Sequence, residues 1–325
     1  MKRAGGNALA LLLSPLNVHI LQALEEGPLP PLDLRRRVGF PPESTMRMYV
    51  RDLSRMGVIE RRRQEGFPPA VDYVLTEAGR ALLKVGDALQ VWLDAAPEGP
   101  IVLGSPAAKS AVRALVEGWT TNIVRALVAR PYSLTELSSL IVKTSYPSLE
   151  RRLGAMRVTN QIEHLPGTGR GKPYRATEWL RQAVLPLTAA TGWERKYAPE
   201  VTTRIGRLDV EAAFLMAVPL VALPADITGN CRLAVELQNG SSPVFAGVVA
   251  SFDRGKLASC SVRLEGEAAA WATGSAMSWL REMNGGQGTQ LELGGDMRLA
   301  ERVARSLKLT RLTPTQGEPE GAFSR

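Results

Sequence analysis

Histidine and cysteine are nearly missing from this 325-residue sequence, which has only His19, His164, Cys231 and Cys260. Two cysteines argue against a disulfide framework and exclude a Cys₄ zinc site. Two histidines exclude a His-rich metal centre and leave room for one Ser–His triad at most. Long apolar runs are missing too. The longest, Ala212 to Leu223, is broken by Pro219, so nothing reads as a membrane-spanning helix of about 18 or more apolar residues. Met1 to Leu13 carries Lys2 and Arg3 before a short apolar run. No small-residue cleavage site follows, and the segment reads as an ordinary first helix. These absences fit a reduced, cytoplasmic setting. The chain is 45 % hydrophobic and 22 % charged, the balance of a soluble globular protein of two or three domains.

Charge of one sign is concentrated. Of a net excess of eight positive charges, residues 99–200 hold seven, residues 1–98 one and residues 201–325 none. A localised basic surface attracts polyanions, nucleic acid foremost; a plain solvated face is the alternative.

The sequence also repeats itself. Tyr73-Val-Leu-Thr-Glu-Ala-Gly-Arg80 and Tyr174-Arg-Ala-Thr-Glu-Trp-Leu-Arg181 share Tyr, Thr, Glu and Arg at an offset of 101, as do Trp92 and Trp193. Ile20, Ala23 and Leu24 pair with Ile123, Ala126 and Leu127 at 103, and Leu53, Met56 and Val58 with Leu153, Met156 and Val158 at 100. Two copies of one unit, at 16–95 and 119–197, imply domains 1–98 and 99–200, with 201–312 a third and 313–325 a disordered tail.

In the first unit, helical spacing predicts helices over Asn17–Glu25, Leu32–Val38 and Thr45–Met56, the last with Ser44 as N-cap and Gly57 as C′. Strands at Val58–Arg63 and Val71–Thr76 form a hairpin, and Glu77–Leu93 closes the unit. Helix–helix–helix–hairpin is the order of a winged helix-turn-helix, whose third helix enters the DNA major groove. On a helical wheel Met46, Tyr49, Val50, Leu53 and Met56 share one face. Arg47, Arg51 and Arg55 form a stripe opposite, beside Met48, with only Asp52 near to offset it. Thr45 joins Ser44 at the start of the helix, and Arg61, Arg62 and Arg63 lead into the hairpin within reach of phosphates. The third helix of the second unit, Tyr146–Val158, buries Leu149, Leu153 and Met156. It presents Ser145, Ser148, Arg151 and Arg152, a poorer cationic face. The glycine-rich hairpin tip offers Arg170 and Lys172, with Arg175 behind. His164 reads as a structural histidine.

Phe67-Pro-Pro-Ala-Val-Asp-Tyr-Val-Leu-Thr-Glu-Ala-Gly-Arg-Ala-Leu82, followed by Trp92, resembles the HxlR-type winged-helix transcription regulators over residues 16–94. The resemblance implies that Pro-Pro lies in the wing and that Tyr-x-Leu-Thr-x-x-Gly leads from the last strand into the closing helix. It also implies dimerisation through terminal helices, as a homodimer or, with two units in one chain, as an internal pseudo-dimer. The unit has no cysteine, which argues against the thiol sensing of some members.

Residues 201–325 change character. A helix from Asp209 to about Leu223 precedes strand-like runs at Cys231–Leu237, Val244–Phe252 and Leu257–Leu264, an antiparallel meander. A helix around Glu267–Ala272, a break at Gly274, a helix over Ser275–Met283, a strand at Leu291–Leu293 and a helix over Met297–Leu307 follow. On the Trp271–Gly274 helix break, Gln290-Leu-Glu-Leu-Gly-Gly-Asp296 and the closing helix, residues 230–310 resemble the sterol-carrier-protein type-two domain. That resemblance implies an apolar tunnel, for which Phe214, Met216, Phe245, Phe252, Trp271, Met277 and Trp279 are the candidate lining.

The sequence therefore points to an α+β chain of two tandem winged helices and a sterol-carrier-like domain. It reads as a transcription regulator whose partners are double-stranded DNA and an apolar small molecule. No cofactor, metal or catalytic residue is called for. Two other classes compete. A winged-helix DNA glycosylase acting on bulky adducts would use Gln161 and Glu163, alternate residues of one strand and hence of one face. A protein sequestering a toxic apolar compound would use residues 201–325 alone.

Overall fold

Pro15 ends one helix and starts the next, because a proline lacks the N–H that an interior position needs but a first turn does not. In the computed structural model, which describes residues 4–65, 70–116, 120–142, 144–166, 171–200, 202–239, 242–286 and 290–308, α1 (Gly6–Leu12) and α2 (Pro15–Glu25) flank this point. Next come α3 (Pro31–Arg37), α4 (Glu43–Arg55), the antiparallel pair β1 (Ile59–Arg63) and β2 (Val71–Leu75), and α5 (Glu77–Asp94). This is the winged helix-turn-helix order. The Thr76 hydroxyl accepts from the Gly79 amide, capping α5, and donates to the Gly57 carbonyl, so one side chain ties the hairpin to the helix. Gly79 is required there: a Cβ would lie 2.2 Å from the Val58 carbonyl oxygen.

The same order recurs in α6 (Pro106–Val116), α7 (Thr120–Ala129), α8 (Leu134–Leu140), α9 (Tyr146–Val158), β3 (Ile162–His164), β4 (Tyr174–Ala176), α10 (Glu178–Gln182) and α11 (Val184–Tyr197). Thr177 caps α10 as Thr76 caps α5, accepting from Leu180 and donating to Asn160. Bridges Leu29–Tyr73 and Tyr132–Tyr174 correspond, as do the left-handed residues Gly57 (φ 67°) and Asn160 (φ 55°) that follow α4 and α9. These landmarks correct the middle of the repeat. The helices α4 and α9 correspond at an offset of 103, not 100: Met46, Val50 and Leu53 are buried where Leu149, Leu153 and Met156 are. A three-residue slip leaves apolar positions on apolar positions in a helix, so hydrophobic pattern alone does not fix the register.

The two closing helices pack on each other. The Trp92 indole donates to the Trp179 carbonyl, and the Trp193 indole donates to the Ala78 carbonyl, each at 2.8 Å. Both Trp92/Trp193 and Ala78/Trp179 are pairs of the 101 offset, so the contact is reciprocal, the pattern of a two-fold interface. The Trp92 and Trp179 rings stack 4.5 Å apart. The buried Glu194 carboxylate accepts from the backbone amides of Gly5, Asn7 and Ala8, fixing the positive end of α1 to α11.

The remaining residues form α12 (Arg207–Ala217), a 3₁₀ turn at Val218–Leu220, β5 (Gly229–Asn239), β6 (Ser242–Asp253), β7 (Lys256–Ser261), β8 (Ala270–Ser275), α13 (Ala276–Met283), β9 (Glu292–Gly295) and α14 (Met297–Ser306). The sheet order is β7-β6-β5-β8-β9. The meander is present. The helix expected around Glu267–Ala272 is not: β8 runs through it, parallel to β5 and antiparallel to β9. Alanine's helix preference yields to pairing, with Ala270 and Ala272 buried and Trp271 and Thr273 on the opposite face. The Trp271–Gly274 segment is therefore strand, not a helix break.

The C-terminal third does not stand apart. Buried side chains run continuously from the winged units into it. Glu211 of α12 accepts from Arg125 of α7 at 2.8 Å and from Arg207 at 2.7 Å. Arg181 donates to the carbonyls of Leu215 and Val128. Residues 201–312, expected as a third domain, share this core with the winged units. The proposed tail, 313–325, lies outside the described residues.

Candidate nucleic-acid interface

The apolar face of α4 (Met46, Val50, Leu53) is buried, and this turns Arg47, Arg51 and Arg55 outward with Met48. Their surroundings add a second carboxylate, Glu43, to Asp52, the only one expected near the stripe. Glu43 pairs with Arg47 one turn away, and Asp52 with Arg55 at 2.9 Å; Arg51 makes no ion pair among the described residues. Exposed pairs of this kind contribute about 0–1 kcal/mol and give way readily to a phosphate or a guanine edge. Ser44 lies inside the first turn of α4, whose N-cap position is Pro42, so its hydroxyl is not a cap and faces solvent. Thr45 is half-buried.

Arg61, Arg62 and Arg63 are all exposed on β1. The Arg61 guanidinium lies 6.0 Å from the centre of the Tyr73 ring across the hairpin, and Arg62 is 3.9 Å from Glu60. The Phe67-Pro-Pro wing lies outside the described residues. Together α4 and β1 place six arginines on one winged unit.

The second unit differs. Ser145 and Arg151 are exposed and Ser148 and Arg152 half-buried. Arg170 lies outside the described residues, Lys172 is exposed, and Arg175 pairs with Glu163 at 2.7 Å. His164 packs against Tyr174 and sits 3.3 Å from Arg157. Gln161 and Glu163 do not share a surface: Gln161 is fully buried, donating to the Ala111 carbonyl at 2.7 Å, while Glu163 is exposed. Strand alternation starts only at Ile162, so the rule that put them on one face does not reach Gln161, and a water-activating pair is not assembled.

The seven apolar residues expected to line a tunnel within residues 201–325 do not line one cavity. Phe214 and Trp279, in edge contact at 4.9 Å, border a cavity of about 70 Å³ between α11, α12 and α13. Phe245 and Trp271 border a groove of about 340 Å³ with Arg232 and Leu264. Met216 and Phe252 are core, and Met277 is exposed. The split follows from the sheet having two faces and from Trp271 lying on a strand. Burial pushes the Cys231 thiol up to about 12 and Cys260 up to about 11. No group of three or more metal-ligating side chains occurs among the described residues, and none of their helices is by itself long and apolar enough to cross a membrane.

Sequence reasoning missed the buried Glu211 carboxylate with its partners Arg125 and Arg207, and the reciprocal tryptophans. The 101 offset of Trp92 and Trp193 was the available signal for the latter.

An uncharacterized HTH-type transcriptional regulator of Methanothermobacter thermautotrophicus is 36 % identical over 76 residues, 22 % of this chain and 56 % of the relative. The chain thus spans about half the length of that curated relative. A solved structure described as a MarR-family transcriptional regulator of Enterococcus faecalis V583 is 24 % identical, covering 26 % of this chain and 77 % of that one with a TM-score of 0.25, a score at which likeness carries no weight. The unit that presents Arg47, Arg51 and Arg55, residues 14–98, matches the model of the HxlR-like helix-turn-helix family.

Proposed function

We propose that this protein is a DNA-binding transcription regulator built from tandem winged helices and responsive to an apolar small molecule. The observation that carries the reading is the arginine surface of α4, the element that a winged helix places in a major groove, together with the exposed arginines of β1. Arg47, Arg51 and Arg55 meet base edges and neighbouring phosphates, with Ser44, Thr45 and Met48 beside them. Arg61, Arg62 and Arg63 meet flanking phosphates. Ser145, Ser148, Arg151, Arg152, Arg170, Lys172 and Arg175 of the second unit supply further backbone contacts. In the third domain, the joint cavity and the groove on the sheet are the places for an apolar ligand. A molecule at the joint acts on DNA affinity only by favouring one arrangement of α11, α12 and α13 over another.

The test is a duplex-DNA titration at several salt concentrations. About six neutralised phosphates give a log–log slope near −5. A slope near zero removes the DNA-binding reading. Ligand coupling is tested by the same titration with and without a saturating apolar probe, which must shift DNA and probe affinities by one common factor.

A further inference from the structure

A symmetric dimer of winged helices reads a palindrome because both of its third helices carry the same side chains. Here the two units face each other through the reciprocal Trp92–Trp179 and Trp193–Ala78 contacts, inside one chain. The structural register of the repeat then decides what each unit offers to DNA. At the offset of 103 fixed by the ends of α4 and α9, the positions of Arg47, Arg51 and Arg55 are taken by Glu150, Gly154 and Val158. The positions of Arg61, Arg62 and Arg63 are taken by His164, Leu165 and Pro166. Every cation of the first unit's surface is lost, and one is replaced by an acid. Glu150 is exposed and Val158 is 78 % exposed, so these side chains occupy the surface that the arginines occupy in the first unit. A carboxylate there repels the phosphates that line a groove, and a valine and a glycine offer no hydrogen bond to a base edge. Arg151 falls at the position of Met48, Arg152 at that of Tyr49 and Arg157 at that of Ser54, so the cations of α9 do not form the i, i+4, i+8 stripe of α4.

We infer that the chain is an internal pseudo-dimer with one reading head. The first unit recognises base edges. The second has the architecture of a winged helix but not its reading surface, and serves as the first unit's symmetric partner and as the platform on which α12 docks. The DNA partner is accordingly a duplex carrying one unmirrored recognition element, bound by a single chain, with the second unit touching phosphates only. This rests on the DNA-binding reading given above.

The experiment is selection of binding sites by the full chain from a random duplex library, followed by measurement of the mass of the complex on a selected duplex. The expected result is one motif without a mirror image and one chain per duplex. Arg51→Ala lowers affinity for the selected site about tenfold or more and flattens the motif, with Arg47→Ala as its companion. Arg151→Ala lowers affinity about threefold on every duplex and leaves the motif unchanged. An inverted-repeat motif, two chains per duplex, or a motif altered by Arg151→Ala or Glu150→Ala overturns the single reading head while leaving DNA binding intact. Failure to enrich any sequence, together with no salt-dependent binding, overturns the DNA-binding reading and this inference with it.

Discussion

Replacing either tryptophan of the reciprocal contact by phenylalanine isolates one buried hydrogen bond while keeping an aromatic ring in place. In Trp92→Phe the Trp179 carbonyl loses an N–H donor at 2.8 Å; in Trp193→Phe the Ala78 carbonyl loses one at the same distance. Both indoles are buried, at 1 % and 4 % exposure, so water does not replace the donor. An unsatisfied buried acceptor costs about 1–3 kcal/mol. The smaller ring leaves a void of roughly 40 Å³, worth on the order of 1 kcal/mol at about 24 cal/mol per Å³. Each variant should therefore lose about 2–4 kcal/mol, with Trp92→Phe the more costly because only Trp92 stacks on a partner ring, Trp179. The assay is urea unfolding followed by far-UV circular dichroism, since fluorescence changes with the tryptophan count. Both midpoints should fall with the slope unchanged. If Trp193→Phe unfolds with the wild type while Trp92→Phe loses its full share, the contact is not reciprocal and the internal two-fold fails.

Three further outcomes are expected. Arg125→Ala leaves Glu211, 1 % exposed, with one partner fewer in the interior and should cost about 2–4 kcal/mol; Arg207, whose side chain is 63 % exposed, should cost less than about 1 kcal/mol when removed, and equal costs in urea denaturation would refute the reasoning. Gly79→Ala drives a methyl group into the Val58 carbonyl and should destabilise by about 2 kcal/mol or more, whereas Gly154→Ala fills open space on α9 and should gain about 0.5–1 kcal/mol; melting temperatures moving in the same direction would contradict this. With folded values pushed up to about 12 for Cys231 and about 11 for Cys260 from an ordinary 9.0, both thiols stay protonated at pH 8 and should resist iodoacetamide until the chain unfolds. Their contribution to stability is full below about pH 9 and declines as pH rises toward 11 and 12, so rapid labelling of the native protein at pH 8 would show that burial does not control them.

The order of elements in the first unit was legible because its signals are local: Gly27-Pro28, Gly57, the Thr76 cap and the alternation of β2 each act within a few residues. The arginine face of α4 followed from helical spacing alone. Asp52 was legible beside the stripe from the same spacing, while the pairing of Glu43 with Arg47, also within one turn, was not anticipated. The repeat was visible through Tyr-x-x-Thr-Glu, where loops do not intervene. Its register at the third helix was not, because slipping three residues along an amphipathic helix preserves the pattern, and only the helix ends and the left-handed Gly57 and Asn160 resolve it. Residues 267–272 read as helix from alanine content; the partners that make Ala270–Ser275 a strand, β5 and β9, lie about forty residues before it and twenty after it in the chain. The winged unit, its basic surface and the meander are legible along the chain, since each is encoded in short-range pattern and turn chemistry. That two tryptophans reach across to each other's unit and that Glu211 joins α12 to α7 came from the fold alone, because these contacts lie between residues 86 or more positions apart; which residue of α9 stands where an arginine stands in α4 needed the observed helix ends and the left-handed residues after them.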